Sequence, residues 1–341
     1  MAKAASTFLQ LEVFPEINGF YNLGKHFVDD ELKKSTGSIT RHTSVDWYRN
    51  RDKVTSIFSK NLEQASLSRL RPVLSEEDLS IYKFLDPAIM AARLRAILGE
   101  YDVVFLIRNP FSWIKSQYLF RLSTGEPRSV HGFESWSTLH LNRRCIGNDI
   151  SELWYCSVVD CYAEHCGGDI HIIPHELMKR DPKKFSLLLS KITSAPSLFF
   201  EDKLALPPNR MAHKLSINNN QKLLFETIGL YDKYGFDAFQ LAVLDLSKRN
   251  NLPLNSNEYE KLLHIKNTSC NNRKKVFEWT HSLSKQWASC GEKAEFEFSN
   301  DLRKTLNRVA NQQLKLLDRR YDFTLSKYKI QRDSYFMSID S

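Results

Sequence analysis

Residues 101–120 read "YDVVFLIRNPFSWIKSQYLF", and this stretch decides the fold. Val103, Val104, Phe105, Leu106 and Ile107 form an unbroken apolar run of strand length, the pattern of a strand buried on both faces of a parallel sheet. The run stops at Arg108-Asn109-Pro110. Proline fixes the backbone for a first helical turn, and from Pro110 to Arg121 the residues Phe111, Ile114 and Tyr118 fall on related helical faces. A buried strand that turns into a helix is the building unit of a covered parallel sheet. In such sheets ligands gather beyond the carboxyl ends of the strands.

Other stretches repeat the pattern. "RLRPVLSEEDLS" at 69–80 predicts a short strand ending in acids, and "GGDIHIIPHELM" at 167–178 predicts a third strand ending in polar residues. Ser151 to His165 reads as a further helix. From about Asn209 to Gly291 the pattern is mainly helical and rich in Asn, Lys and Ser, with no strand predicted. Ser299 is placed to cap a last helix whose apolar stripe is Leu302, Leu306, Val309, Leu314 and Leu317. There are no internal repeats and no low-complexity linker. The expectation is one α/β domain over residues 1–325, a parallel sheet flanked by helices with a helical elaboration at 209–291, followed by a tail at 326–341.

Composition bounds the partners. A chain of 341 residues buries a full core, and 42% hydrophobic with 12% aromatic residues marks a globular protein. The 48 Lys and Arg against 40 Asp and Glu give +8, which suits an anionic ligand. No dense basic block is present, so nucleic acid is not the expected partner. Cys145, Cys156, Cys161, Cys166, Cys270 and Cys290 form no CxxC pair and no metal-ligand spacing, so they read as reduced, packed thiols. The longest apolar runs are too short to span a bilayer and no signal peptide is recognisable, which predicts a soluble, cytoplasmic protein.

Two places offer phosphate chemistry. Arg108 stands at a strand end, and Ser116 follows eight residues later on the helix, so a guanidinium and a hydroxyl can converge on one phosphate. Each is commonplace alone: such an Arg often makes a surface ion pair, and a helical Ser is usually solvated. Near the chain's start, "AKAASTFL" at Ala2–Leu9 sets Lys3, the small Ala4 and Ala5, and the hydroxyls of Ser6 and Thr7 before a helical run. A helix N-terminus holding an anion asks for this set. The bland alternative is a frayed terminus.

Taken together, the two stretches resemble the sulfotransferases that use 3'-phosphoadenosine 5'-phosphosulfate, in particular the bacterial carbohydrate-type members. In that family a Pro-Lys-x-Gly-Thr-Thr-x-Leu loop grips the 5'-phosphosulfate, and Ala2–Leu9 is similar to it. An Arg-Asp/Asn-Pro turn, with Ser eight residues after the Arg and Tyr two beyond, grips the 3'-phosphate; Arg108, Asn109, Pro110, Ser116 and Tyr118 resemble it. Looser likenesses lie in "NLGK", in "LSEEDLS", at 171–185 with Glu176 and Pro182, and in the terminal helix at 308–323. The sequence departs from the family at Ala5, where the loop carries Gly, and at Ser6, where it carries Thr. It offers no recognisable basic or Gly-rich element near the C-terminus and no assigned adenine contact.

The resemblance implies a P-loop-like fold and transfer of a sulfuryl group from 3'-phosphoadenosine 5'-phosphosulfate to a hydroxyl or amine of a saccharide or polysaccharide, without a metal. Lys3, Ala4, Ala5, Ser6, Thr7 and Phe8 would hold the 5'-phosphosulfate, with Lys3 facing the charge on the bridging oxygen. Glu77, in Ser75-x-Glu77, is the implied general base. Glu76, His26, His140 and His175 are alternatives, and the two acids can equally be solvated caps of the following turn. The family's loop follows a central buried strand, so the resemblance also implies a strand encoded upstream of residue 1. Acceptor specificity is expected in the elaboration at 209–291.

A rival phosphate loop needs weighing. "GFYNLGKH" at 19–26 matches GxxxxGK, yet His26 stands where Ser or Thr would hold magnesium, and Phe20, Tyr21 and Leu23 are bulky where backbone amides should curl. The run reads better as a strand. Three function classes therefore stand at this point: a sulfotransferase, a non-catalytic nucleotide-binding or scaffold protein of the same fold, and a kinase-like NTPase using Gly24 and Lys25.

Overall fold

The computed structural model describes residues 9–15, 19–24, 29–80, 85–123, 132–141, 153–204, 217–267, 272–292, 294, 296–328 and 330. A wide helical turn at Leu9–Val13 leads to strand β1 (Phe20–Asn22), helices α1 (Asp30–Arg41) and α2 (Ser44–Leu67), strand β2 (Arg71–Val73) and helix α3 (Pro87–Leu98). Strand β3 (Tyr101–Ile107) follows, then α4 (Pro110–Ser123), α5 (Phe133–Leu141), α6 (Tyr155–His165) and strand β4 (Gly167–Pro174). The remaining helices are α7 (Leu177–Arg180), α8 (Pro182–Thr193), α9 (Ser197–Leu204), α10 (Asn219–Tyr234), α11 (Phe236–Arg249), α12 (Ser256–Asn267), α13 (Asn272–Gln286) and α14 (Asn300–Tyr321). The three strands expected from sequence are β2, β3 and β4, and the decoy loop at residue 19 is strand β1. Helix α6 begins at Tyr155, later than the expected Ser151.

The described residues are mostly helical, with two small parallel pairs: β1 with β2 and β3 with β4. In the longer pair Val104 faces His171, Phe105 faces Ile172 and Ile107 faces Pro174. Helices lead each chain reversal, as parallel pairing requires. The chain separates into two compact units, one of Met1–Trp113, His140–Pro208 and Lys304–Ser341, the other of Ile114–Leu139 and Asn209–Arg303.

The first unit holds both strand pairs. Its core joins Leu9, Val13, Phe14 and Phe20 to Leu106 of β3, Ile173 of β4, and Leu177, Phe185, Leu189 and Phe200 from the helices that follow. Burying each such side chain is worth about 1.5–3 kcal/mol. Local signals set the helix starts: Asp29 accepts from Glu31 N at 2.8 Å, Thr43 from Asp46 N at 3.2 Å, and Asp86 from Ala88 N at 2.8 Å. Arg93 is 4% exposed. Its guanidinium donates to Ile39 O at 2.9 Å and covers the Trp47 ring at 4.7 Å, so a buried cation satisfies the carbonyl end of α1 and ties α1, α2 and α3 together.

The described residues of the second unit are mainly helical, the pattern expected of the elaboration at 209–291. Asn218 and Gln221 form a reciprocal capping box at the start of α10, with bonds of 2.8 and 2.9 Å. Asn218 also donates to Trp287 O at 2.6 Å, and Gln221 to Ser284 O at 2.8 Å, which locks α10 onto the end of α13. Tyr118 packs among Phe133, Trp136 and Phe296 with ring centroids 5.2–5.6 Å apart, and its hydroxyl donates to Glu226 at 3.1 Å. The terminal helix begins in the second unit and belongs to the first from Lys304 onward; Ser299 Oγ accepts from Leu302 N at 3.2 Å, and the stripe Leu302, Leu306, Val309, Leu314 and Leu317 is buried.

Candidate functional site

The carboxyl ends of β3 and β4 gather a hydrogen-bonded polar cluster. Asn109, 1% exposed, caps α4: its Oδ1 accepts from Phe111 N at 2.9 Å and Ser112 N at 3.0 Å. These bonds satisfy two of the helix's orphan donors and fix the direction in which the chain leaves β3. Arg108 precedes the cap. Its Nε donates to Ser112 Oγ at 3.1 Å, its carbonyl accepts from the Tyr155 hydroxyl at 2.6 Å, and Ser112 Oγ in turn donates to Asn109 O at 3.1 Å.

The neighbouring strand end completes the arrangement. His175 N donates to Ile107 O at 2.7 Å, so the residue after β4 extends the pairing with β3. Glu176 then reaches back, and its Oε1 accepts from Asn109 N at 2.7 Å. Among the described residues, Asn109 Nδ2 and Glu176 Oε2 are buried without a hydrogen-bond partner, one donor and one acceptor left at the strand ends.

Burial sets the protonation of this cluster. It draws the His175 imidazole down to about 3, with the positive charges of Arg108 and Lys179 adding to the effect, so the ring is neutral at physiological pH. So weak a base is a poor acceptor for a substrate proton. Burial also raises the Glu176 carboxyl above its ordinary range, against the opposing pull of the Asn109 N–H, Arg108 and Arg180. A carboxyl with a raised folded value contributes its full stability below the unfolded value of 4.5 and loses it as pH rises through the folded value. Glu176→Gln keeps an oxygen for Asn109 N–H and removes the charge. Thermal melts from pH 4 to pH 8 are therefore expected to show the Gln protein gaining on wild type as pH rises, to a lead of a few degrees at neutrality. A lead that shrinks with rising pH would contradict the assignment.

The residues expected from sequence fall as follows. Arg108 stands at the strand end. Ser116 lies on α4 one helical turn beyond Ser112, in the stretch that belongs to the second unit. Glu77 opens a tight turn, Glu77–Ser80, four residues past β2; Glu76 accepts from Asp78 N at 3.3 Å. Lys3, Ala4, Ala5, Ser6, Thr7 and Phe8 lie outside the described residues, as do Lys25 and His26 and the side chains of Glu77 and His140. Ser112, Tyr155 and the Glu176–Asn109 bond were not foreseen as site elements. The signal for Ser112 was available, since a Ser three residues after a capping Asn can reach back along the first turn.

The decoy loop has its own physical account. Phe20 and Asn22 are buried and Tyr21 is half-buried, the alternation of a strand. A Cβ on Gly24 would meet Ser75 O at 2.4 Å, so glycine is needed there for close backbone approach rather than for a phosphate. Gln10 Nε2 adds a second tie to that place, donating to Ser75 O at 2.9 Å. Among the described residues there is no cluster of three or more His, Cys, Asp or Glu side chains able to hold a metal, and no helix long and apolar enough to cross a membrane.

Comparison with known proteins adds no family: no family model, no curated protein and no solved structure matches this chain.

Proposed function

We propose that this chain is a sulfotransferase, moving a sulfuryl group from 3'-phosphoadenosine 5'-phosphosulfate to a hydroxyl or amine of a carbohydrate acceptor in a P-loop-like fold. The observation that carries the reading is the Arg108 turn: a guanidinium delivered by a parallel strand whose last three residues, Phe105–Ile107, are buried while Val104 is exposed, directly before the Asn109-capped start of α4. It sets a cation beside the Ser112 hydroxyl at the carboxyl end of a parallel strand, where anionic ligands gather in such sheets.

In this reading Arg108 holds the 3'-phosphate, and Lys3, Ser6 and Thr7 with the amides of 3–8 hold the 5'-phosphosulfate. Sulfuryl transfer, like phosphoryl transfer, is achieved by in-line positioning and by neutralising charge on the leaving phosphate. Lys3 supplies that neutralisation. Glu77 takes the acceptor proton, with Glu76 next to it as the alternative base.

The test uses the full chain without magnesium. Adenosine 3',5'-bisphosphate at a hundred times its Kd is expected to raise stability by about 2.7 kcal/mol, and the sulfated nucleotide to support transfer onto at least one member of a saccharide panel. Binding with no turnover across the panel would favour a non-catalytic nucleotide-binding protein. Stabilisation by magnesium-ATP alone would sink the sulfotransferase reading and return attention to Lys25. Glu77→Gln belongs in the same assay, because a fully active variant moves the base role to Glu76 or a histidine.

A further inference from the structure

Helix α6 touches both of the turns on which the proposed chemistry depends. Tyr155, 2% exposed, donates its hydroxyl to Arg108 O at 2.6 Å, and Tyr162, 3% exposed, donates to Leu79 O at 2.5 Å. Leu79 lies inside the Glu77–Ser80 turn. The two tyrosines are seven residues apart, so they stand on one face of the helix and about 10 Å apart along its axis. The helix itself is firmly seated: α6 packs on α3, β3 and β4, and the Tyr162 ring meets Phe105 edge-on at 5.6 Å.

A buried tyrosine hydroxyl needs an acceptor, and any nearby carbonyl would satisfy it. Here both acceptors are main-chain carbonyls in turns just past a parallel strand, and one rigid helix holds both. We propose that Tyr155 and Tyr162 are positioning residues, with α6 acting as a spacer that sets the Arg108 turn and the Glu77 turn at a fixed separation. The roles of the two turns rest on the sulfuryl-transfer reading; the ties rest on the geometry alone. A nucleotide gripped at one turn and a proton acceptor carried on the other must keep their spacing, because small misplacements of reacting groups are costly in rate.

The two hydroxyls can be removed separately with the rings left in place, in Tyr155→Phe and Tyr162→Phe. Tyr155→Phe is expected to raise the Kd for adenosine 3',5'-bisphosphate about tenfold and to leave adenosine 5'-phosphate binding unchanged. Tyr162→Phe is expected to lower kcat about tenfold and to leave both Kd values unchanged. Peptide-level hydrogen exchange on the unliganded chain gives a readout independent of any ligand: Tyr155→Phe speeds exchange at 108–113 and not at 76–80, and Tyr162→Phe does the reverse. Equal acceleration of both segments by both variants would overturn the proposal, since the tyrosines would then merely support the core. If exchange separates as expected while wild type binds the bisphosphate no better than the monophosphate, the ties stand and the sulfotransferase reading fails.

Discussion

Replacing Lys3 by alanine is expected to lower kcat for sulfuryl transfer by on the order of a hundredfold or more, the scale seen when one preorganised electrostatic donor is removed. The affinity for adenosine 3',5'-bisphosphate should change much less. Lysine is a compact point charge on a flexible stem, suited to follow negative charge as it builds on the oxygen between phosphate and sulfur. That charge is small in the bound donor and large in the transition state, so the loss belongs to kcat. The measurement compares wild type and Lys3→Ala across the saccharide panel, with circular dichroism and a melt on each protein to establish folding. A folded Lys3→Ala variant with wild-type kcat would remove Lys3 from the chemistry. Equal losses in kcat and in nucleotide affinity would make it a simple binding residue.

Some of the architecture was legible in the sequence and some was not, for physical reasons that differ between elements. Strand β3 carries the continuous apolar run Val103–Ile107, the strongest signal a parallel strand gives, β4 is marked more weakly by Ile170, Ile172 and Ile173, and the terminal helix announces itself through Ser299 and a regular leucine stripe. Helices α1 and α2 were silent because their buried faces are poor in apolar residues. In α1 the buried positions include Ser35, Thr36, Ser38 and Thr40, and in α2 only Val54, Phe58, Asn61 and Ala65 are buried. Thr36 is tolerated inside because its hydroxyl donates to Leu23 O at 3.1 Å and Leu32 O at 3.0 Å, a solution that hydrophobic periodicity cannot register.

The same division holds at the site. Arg108 and its turn could be read locally, from a strand, a cation and a proline in sequence. The groups that hold the turn could not: Glu176 reaches Asn109 across 67 positions and Tyr155 reaches Arg108 across 47. Such ties exist only once β3 and β4 are paired and α6 is laid against them. Sequence spacing reports chemistry that lies within one element, and the restraint of that chemistry comes from elsewhere in the fold.

Arg108→Ala tests the local reading most directly. A guanidinium that grips the 3'-phosphate contributes a charge-assisted interaction of about 1.5–3 kcal/mol, or roughly ten- to a hundredfold in Kd. That loss should fall on adenosine 3',5'-bisphosphate and spare adenosine 5'-phosphate, which lacks the group Arg108 would hold. The discrimination between the two nucleotides, measured by titration calorimetry on the same protein, is thus expected to collapse toward unity. The substitution also removes the bond from Arg108 Nε to Ser112 Oγ at 3.1 Å, so a fall in overall stability is foreseeable and does not decide the matter. Ser112 retains Asn109 O as an acceptor at 3.1 Å, and the cap of α4 is made by Asn109, so the turn should survive the change. Ser112→Ala separates the two effects: it deletes the same internal bond and leaves the guanidinium in place. If Ser112→Ala keeps the preference for the bisphosphate and Arg108→Ala loses it, the charge on Arg108 is what reads the 3'-phosphate. If both variants weaken the two nucleotides equally, Arg108 is a structural member of the strand end and the phosphate is held elsewhere.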